Sequence, residues 1–224
     1  GFDSGRSSVP VPEFLERTKL SYGRLQLLLQ CGWLTPPGEA RVVLSRPASS
    51  ADLSRQSLEN LTPGKFDRIH RLLRLERHTP WDPWELGLLL AADRLGAGEL
   101  DGDALVQLQA AARLAERLHL DAETLSTWFG TFPDQGRPDT ADPSGPRMPS
   151  LYETTFLGRG LNATPNPAFS PVPDGSDLRS QRPTLLAALG VSDPGLTLLL
   201  KHTGTVNSAR TLSGLAGWSG LSRR

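Results

Sequence analysis

Apolar residues in this chain recur mostly three and four positions apart, the spacing that gathers them on one face of an α-helix. Residues 1–10 come before the pattern starts and read as a flexible tail. Pro12 then opens a short helix carrying Phe14 and Leu15. Ser21 is placed to cap a second helix through Gln30, with Tyr22, Leu25, Leu28 and Leu29 on one face and Gly32 stopping it. The period next shortens. Residues 41–45 (Arg-Val-Val-Leu-Ser) predict a strand and residues 52–58 a weaker partner, with prolines at the turns, so a small hairpin at about 41–58 interrupts the helices.

The helical period returns more strongly. Thr62 caps a helix whose first position is Pro63, a residue that lacks the N–H left unpaired there anyway. Phe66, Ile69, Leu72, Leu73 and Leu75 form its apolar stripe, and Arg68, Arg71, Arg74 and Arg77 are assigned to the wet side. Asp82-Pro83 repeats the cap-then-proline signature before Trp84, Leu86, Leu88, Leu89 and Leu90, which are apolar almost all round and predict a buried helix. Asp101 caps a long helix bearing Leu105, Leu108, Ala111, Ala112, Ala115 and Leu118; Asp121 caps a short one bearing Leu125, Trp128 and Phe129, ended by Gly130. Four capped helices with short joins predict an antiparallel bundle.

Residues 131–149 hold five prolines among Asp, Gly, Ser and Thr and read as a surface loop or linker. A helix from Leu151 to about Leu157 follows, then an irregular stretch from Asn162 to Ser176. Short helices are predicted over Arg182–Leu189 and Asp193–Lys201, and a weak Gly- and Ser-rich one from Ser208 onward. The fold class is therefore mainly α: a multi-helix bundle over 11–130 with a small β-hairpin insertion, long Pro/Gly-rich loops, and a second helical segment over 150–224 packing on the first.

Composition narrows the functions. The 224 residues carry 24 Lys plus Arg against 24 Asp plus Glu, a formal net charge of zero with no clustered positive footprint, which disfavours nucleic acid and anionic membrane surfaces. The lone Cys31 can form no internal bridge and no cysteine-based zinc site; its apolar helix-end setting reads as a buried, inert thiol. No apolar run approaches the roughly 20 residues that span a bilayer, and the N-terminus has no basic-then-apolar signal. Starting at Gly1 without Met and ending at Arg223-Arg224, the chain reads as a fragment of a longer protein.

Several segments together resemble a known family. Leu58-Glu59-Asn60-Leu61-Thr62, then Phe66-Asp67-Arg68-Ile69-His70-Arg71-Leu72-Leu73-Arg74-Leu75 and Trp81, is similar to a recurring segment of Tc insecticidal toxin A components. Leu105 to Trp128, with His119-Leu120-Asp121-Ala122-Glu123-Thr124-Leu125 at its joint, resembles the next helical pair of that family. Ser150-Leu151-Tyr152-Glu153-Thr154-Thr155-Phe156-Leu157, Asn166-Pro167-Ala168-Phe169 and Arg182-Pro183-Thr184-Leu185-Leu186-Ala187-Ala188-Leu189-Gly190 follow in family order, and the resemblance covers about residues 11–201. It implies part of the α-helical outer shell of a secreted, pentameric pore-forming protein of bacterial origin, on or released from the cell surface. In that family the shell houses a translocation channel, opens on a pH change and delivers a toxic partner. The shell carries no catalytic residues.

Candidate chemistry is sparse. Of the four histidines, His70 lies in the arginine-rich helix and His78 just past its end; a proton on either would add charge beside Arg71, Arg74 and Arg77, which suits a pH-sensing role, while ordinary exposed helix histidines account for both as well. His119 and His202 read as helix-end residues. No His pair has zinc-helix spacing, Glu99-Leu100-Asp101-Gly102-Asp103 lacks the ligand pattern of a calcium loop, and Gly217-Trp218-Ser219-Gly220 is one residue short of a nucleophile elbow. Asn60-Leu61-Thr62 and Asn162-Ala163-Thr164 fit the glycosylation pattern by chance, and the tryptophans read as core anchors. No catalytic, cofactor-binding or metal residue is assigned. The function expected is a non-catalytic shell or scaffold segment with no cofactor. Its partners would be neighbouring segments and subunits of a homo-oligomeric parent and a host-surface receptor, with no nucleic acid and no membrane contact of its own. The alternative is a stand-alone helical protein-interaction adaptor, and an enzyme of unrecognised type is the third class.

Overall fold

The computed structural model describes residues 7–35, 38–45, 52–130, 132–133, 135–139, 146–156 and 182–203. These are mainly helical with one small antiparallel sheet. The chain divides into two compact units, Gly1–Leu88 with Pro138–Pro146, and Leu89–Arg137 with Arg147–Arg224. The chain passes between the units inside a helix after Leu88, and again after Arg137 and after Pro146, within the proline-rich stretch.

The first unit opens with strand β1 (Val9–Pro10), helices α1 (Val11–Thr18) and α2 (Tyr22–Leu29), and a 3-10 turn at Gly32–Leu34. Strands β2 (Val43–Ser45) and β3 (Ser57–Glu59) flank a second 3-10 turn at Leu53–Arg55; α3 (Pro63–Glu76) and the start of α4 (Pro83–Ala91) follow. β2 and β3 pair antiparallel, Leu44 opposite Leu58, as the hairpin reading required. A third strand corrects that reading. β1 adds to the free side of β3, with Val9 opposite Leu58, so the sheet order is β1-β3-β2. Val9 is buried and Ser7 accepts a bond from the Leu61 amide at 3.0 Å, so residues 7–10 are not a free tail, while residues 1–6 lie outside the described residues. Two residues are too short to show an alternating pattern, and Pro10 fits an edge strand because no ladder bond needs its missing N–H.

Caps set the helix starts. Ser21 Oγ accepts from the Arg24 amide, Thr62 Oγ1 from Lys65 and Asp52 from Ser54. Asp82 and Glu85 form a reciprocal box, each carboxylate accepting the other's backbone N–H at 2.9 Å. Phe14, Leu25, Leu28, Leu34, Leu58 and Leu72 are fully buried and fill the interior of this unit.

The second unit holds α5 (Gly102–Leu118), α6 (Ala122–Phe129), α7 (Leu151–Phe156), α8 (Arg182–Leu189) and α9 (Asp193–Thr203). α3 thus belongs to one unit and α5 with α6 to the other. Asp101 and Asp121 cap α5 and α6 through Oδ1, at 2.8 Å and 2.7 Å. On α5 the buried stripe is Ala104, Leu108, Ala111 and Ala115, whereas Leu105, expected inside, is 47% exposed. It sits one residue, about 100° of helix, off the stripe. Gly130 ends α6 where a Cβ would come within 2.9 Å of Ala92.

Phe132, Phe156, Leu185, Leu189 and Leu196 form a separate buried cluster. Phe132 meets Tyr152 and Phe156 edge-on at centroid distances of 5.9 Å and 5.4 Å. Ser150 and Glu153 box the start of α7 as Asp82 and Glu85 do for α4. Phe132 and Gly136 are buried, and a Cβ on Gly136 would collide with the Met148 carbonyl, so these parts of the 131–149 stretch pack instead of looping freely. The expectations on Leu157, 162–176 and 208 onward lie outside the described residues.

Candidate functional site

In the first unit, α3 brings a hollow and concentrated charge together. Its Thr62-Pro63 start directs Lys65 inward on the same face as Ile69 and Leu72, four and seven residues on. Lys65 is 1% exposed, and its Nζ donates to the Ala40 carbonyl at 2.7 Å and the Asn60 carbonyl at 2.8 Å, with the Glu39 carboxylate at 3.3 Å. Three acceptors match the three protons of an ammonium, which makes its burial tolerable. The lysine ties the chain before β2 and the turn after β3 to the root of α3. Sequence reading passed over it, although its spacing from Ile69 was the available signal.

Arg68 corrects the assignment of all four arginines to the wet side. Its guanidinium lies 4.7 Å over the Trp33 ring and Nη1 donates to the Trp33 carbonyl at 2.8 Å. Arg71 faces Asp67 at 3.6 Å on the exposed surface, and Arg24 of α2 pairs with Glu76.

The face of α3 formed by Phe66, Ile69, His70, Leu73, Arg74 and Arg77 borders a groove of about 670 Å³, closed on the far side by Arg17 and Thr18 of α1. Beyond Leu73 lies a hollow of about 290 Å³ that shares Thr18, Leu73 and Arg77 with it and adds Leu20, Arg24 and Glu76. Arg17 is bonded to Glu13 at 2.8 Å. Of the two pH-sensing candidates, His70 is exposed and lines the groove; His78 is exposed, follows the Arg77 C-cap and lies outside that lining. His119 adopts a left-handed φ of 52° as the C-cap of α5, the helix-end position expected of it. His202 is in α9, with its side chain outside the described residues.

Cys31 is 3% exposed, and burial pushes its thiol up to about 12, with nearby Asp82 adding to the effect against two backbone hydrogen bonds and Arg68. Its sulfur lies 2.7 Å from where a Cβ on Gly87 would stand, which explains a glycine inside the apolar helix α4. In the Asn60-Leu61-Thr62 triplet, Asn60 Nδ2 donates to the Arg41 carbonyl at 3.0 Å and Thr62 caps α3, so both polar side chains serve the fold. Asp101 of the acidic stretch is likewise a cap. Among the described residues no three His, Cys, Asp or Glu side chains gather as metal ligands, and no single helix is long and apolar enough to cross a membrane. No family model, curated protein or solved structure matches this chain.

Proposed function

We propose that the chain is a non-catalytic scaffold segment of a larger secreted toxin assembly, of the kind its resemblance to Tc toxin A components implies. The observation that carries this reading is the meeting of two family-like segments separated in sequence. Tyr152 and Phe156, from the Ser-Leu-Tyr-Glu stretch, pack with Leu185 and Leu189, from the Arg-Pro-x-Leu-Leu-Ala-Ala-Leu-Gly stretch, in one apolar cluster. Arg182 of the latter segment then spans the turn to α9, donating to the Asp193 side chain at 2.6 Å and its carbonyl at 3.0 Å. Gly190 sits between these helices at a φ of +60°, a conformation that favours glycine. The motif residues thus do packing work, as a mechanical shell requires. In this reading the segment acts by burying helix faces against its neighbours in the parent. A proton on His70 would add positive charge beside Arg17, Arg74 and Arg77, with Asp67 the carboxylate opposing it, and would weaken such contacts.

The groove along α3 favours the second reading, a helical adaptor that captures one partner. The two diverge in the parent polypeptide. Light scattering across a concentration series should find it in a closed oligomer; a parent that stays monomeric throughout, or a gene ending near residue 224 with no pore-forming region, would leave the adaptor.

A further inference from the structure

We infer that the trough along α3 is a docking site for an acidic amphipathic helix of a partner polypeptide. The inference stands on the first unit alone and holds whether or not the toxin-shell reading does. Phe66, Ile69, His70, Leu73, Arg74 and Arg77 are spaced i, i+3, i+4, i+7, i+8 and i+11, so they share one helix face. Those eleven steps extend about 16 Å, three turns of helix. The groove and the hollow past Leu73 share Thr18, Leu73 and Arg77, so together their lining follows α3 from Pro63 to Arg77. Length of that kind fits a helix laid alongside, with its apolar anchors three and four residues apart.

The floor and rim define the occupant's chemistry. Phe66 and Leu73 are half-buried over buried Ile69, leaving apolar surface on the floor. The carboxylates that face the trough are engaged already: Asp67 with Arg71, and Glu76 with Arg24. Arg17 is held by Glu13. Arg74 and Arg77 are exposed and have no acidic partner among the described residues, and His70 lies between them and Phe66. Two unmatched guanidiniums beside an apolar strip complement carboxylates flanking a leucine stripe, and guanidinium geometry favours paired bonds to carboxylate. A basic helix would meet repulsion there.

The test uses the full 224-residue chain and a labelled synthetic helix of about 18 residues, with leucines on one face and glutamates on both flanks. Two companions replace the glutamates by lysine or scramble the order. Fluorescence anisotropy should show the acidic helix binding roughly tenfold or more tightly than either companion, and losing affinity as salt rises. Arg74→Glu with Arg77→Glu should reverse the preference towards the lysine peptide, while circular dichroism and melting temperature stay unchanged. Arg113→Glu with Arg117→Glu on α5 should leave binding as it was. Equal binding of all three peptides, or binding indifferent to the α3 reversal, overturns the proposal. So does displacement of the peptide by a medium-chain fatty acid of equal affinity, which assigns the trough to a small amphiphile. Self-association of the chain that the α3 reversal abolishes assigns it to a second copy and overturns it equally.

Discussion

Lys65 shows how much one side chain decides locally. At 1% exposure its ammonium is stable only because Ala40, Asn60 and Glu39 receive it. Lys65→Met keeps the volume but strands two carbonyls, so chemical denaturation should show a loss of about 1–3 kcal/mol. Arg71→Met, which breaks only the exposed pair with Asp67, should change stability by less than about 0.5 kcal/mol. Equal effects would mean that the ammonium is no clasp. Cys31 and Gly87 provide a second test. Gly87→Ala forces its Cβ onto the Cys31 sulfur and should cost about 1–3 kcal/mol. Most of that cost should vanish in a Cys31→Ala background, where the sulfur is gone; additive losses would contradict the contact.

The thiol also carries a pH signature. Its ordinary value is 9.0 and the folded value about 12, so between these the unfolded chain sheds the proton and the folded chain keeps it. Stability is then lost as pH rises through that window, by up to about 1.4 kcal/mol per unit. The difference in denaturation midpoint between the parent chain and Cys31→Ala should narrow as pH climbs past 9.0. A pH-independent difference would contradict the thiol's burial. The sequence showed the apolar surroundings of Cys31, but not which glycine it met, because that neighbour lies more than fifty residues on.

At the scale of elements, the caps were the legible part. Ser21, Thr62, Asp101 and Asp121 each bond the amide three residues ahead, because the signal and the interaction lie within one turn. Asp101→Ala should therefore cost about 1 kcal/mol and Asp101→Asn little, read by thermal melting. If both cost the same, the carboxylate's charge and not its capping bond would matter. What depended on distant partners was not legible. β1 exists because β3 offers it an edge, Arg68 is inward because Trp33 is there, and Leu105 is out because its neighbour Ala104 faces the core. Ala97, in the turn between α4 and α5, holds a left-handed φ of 51° that only glycine adopts freely. Ala97→Gly should gain up to about 1 kcal/mol by thermal melting, a gain that would be absent if the residue were unstrained.

For the whole molecule, the period of apolar residues predicted the helices but not that the chain first passes between units within α4; its later passages do lie in the proline-rich stretch. The groove was foreshadowed only by the arginine run, and its partner α1 could not be inferred from α3. Leu105 and Val106 on α5 are 47% and 68% exposed and Leu198 on α9 is 57% exposed, apolar surface that the proposed assembly would cover. Hydrogen exchange on the intact parent, set beside the isolated chain, tests that most directly. Amides of α5 and α9 around these residues should exchange markedly more slowly in the parent, while those beneath Leu108 and Leu196 stay nearly the same. Identical exchange along α5 and α9 in both would contradict a scaffold that works by burying its helix faces in an assembly.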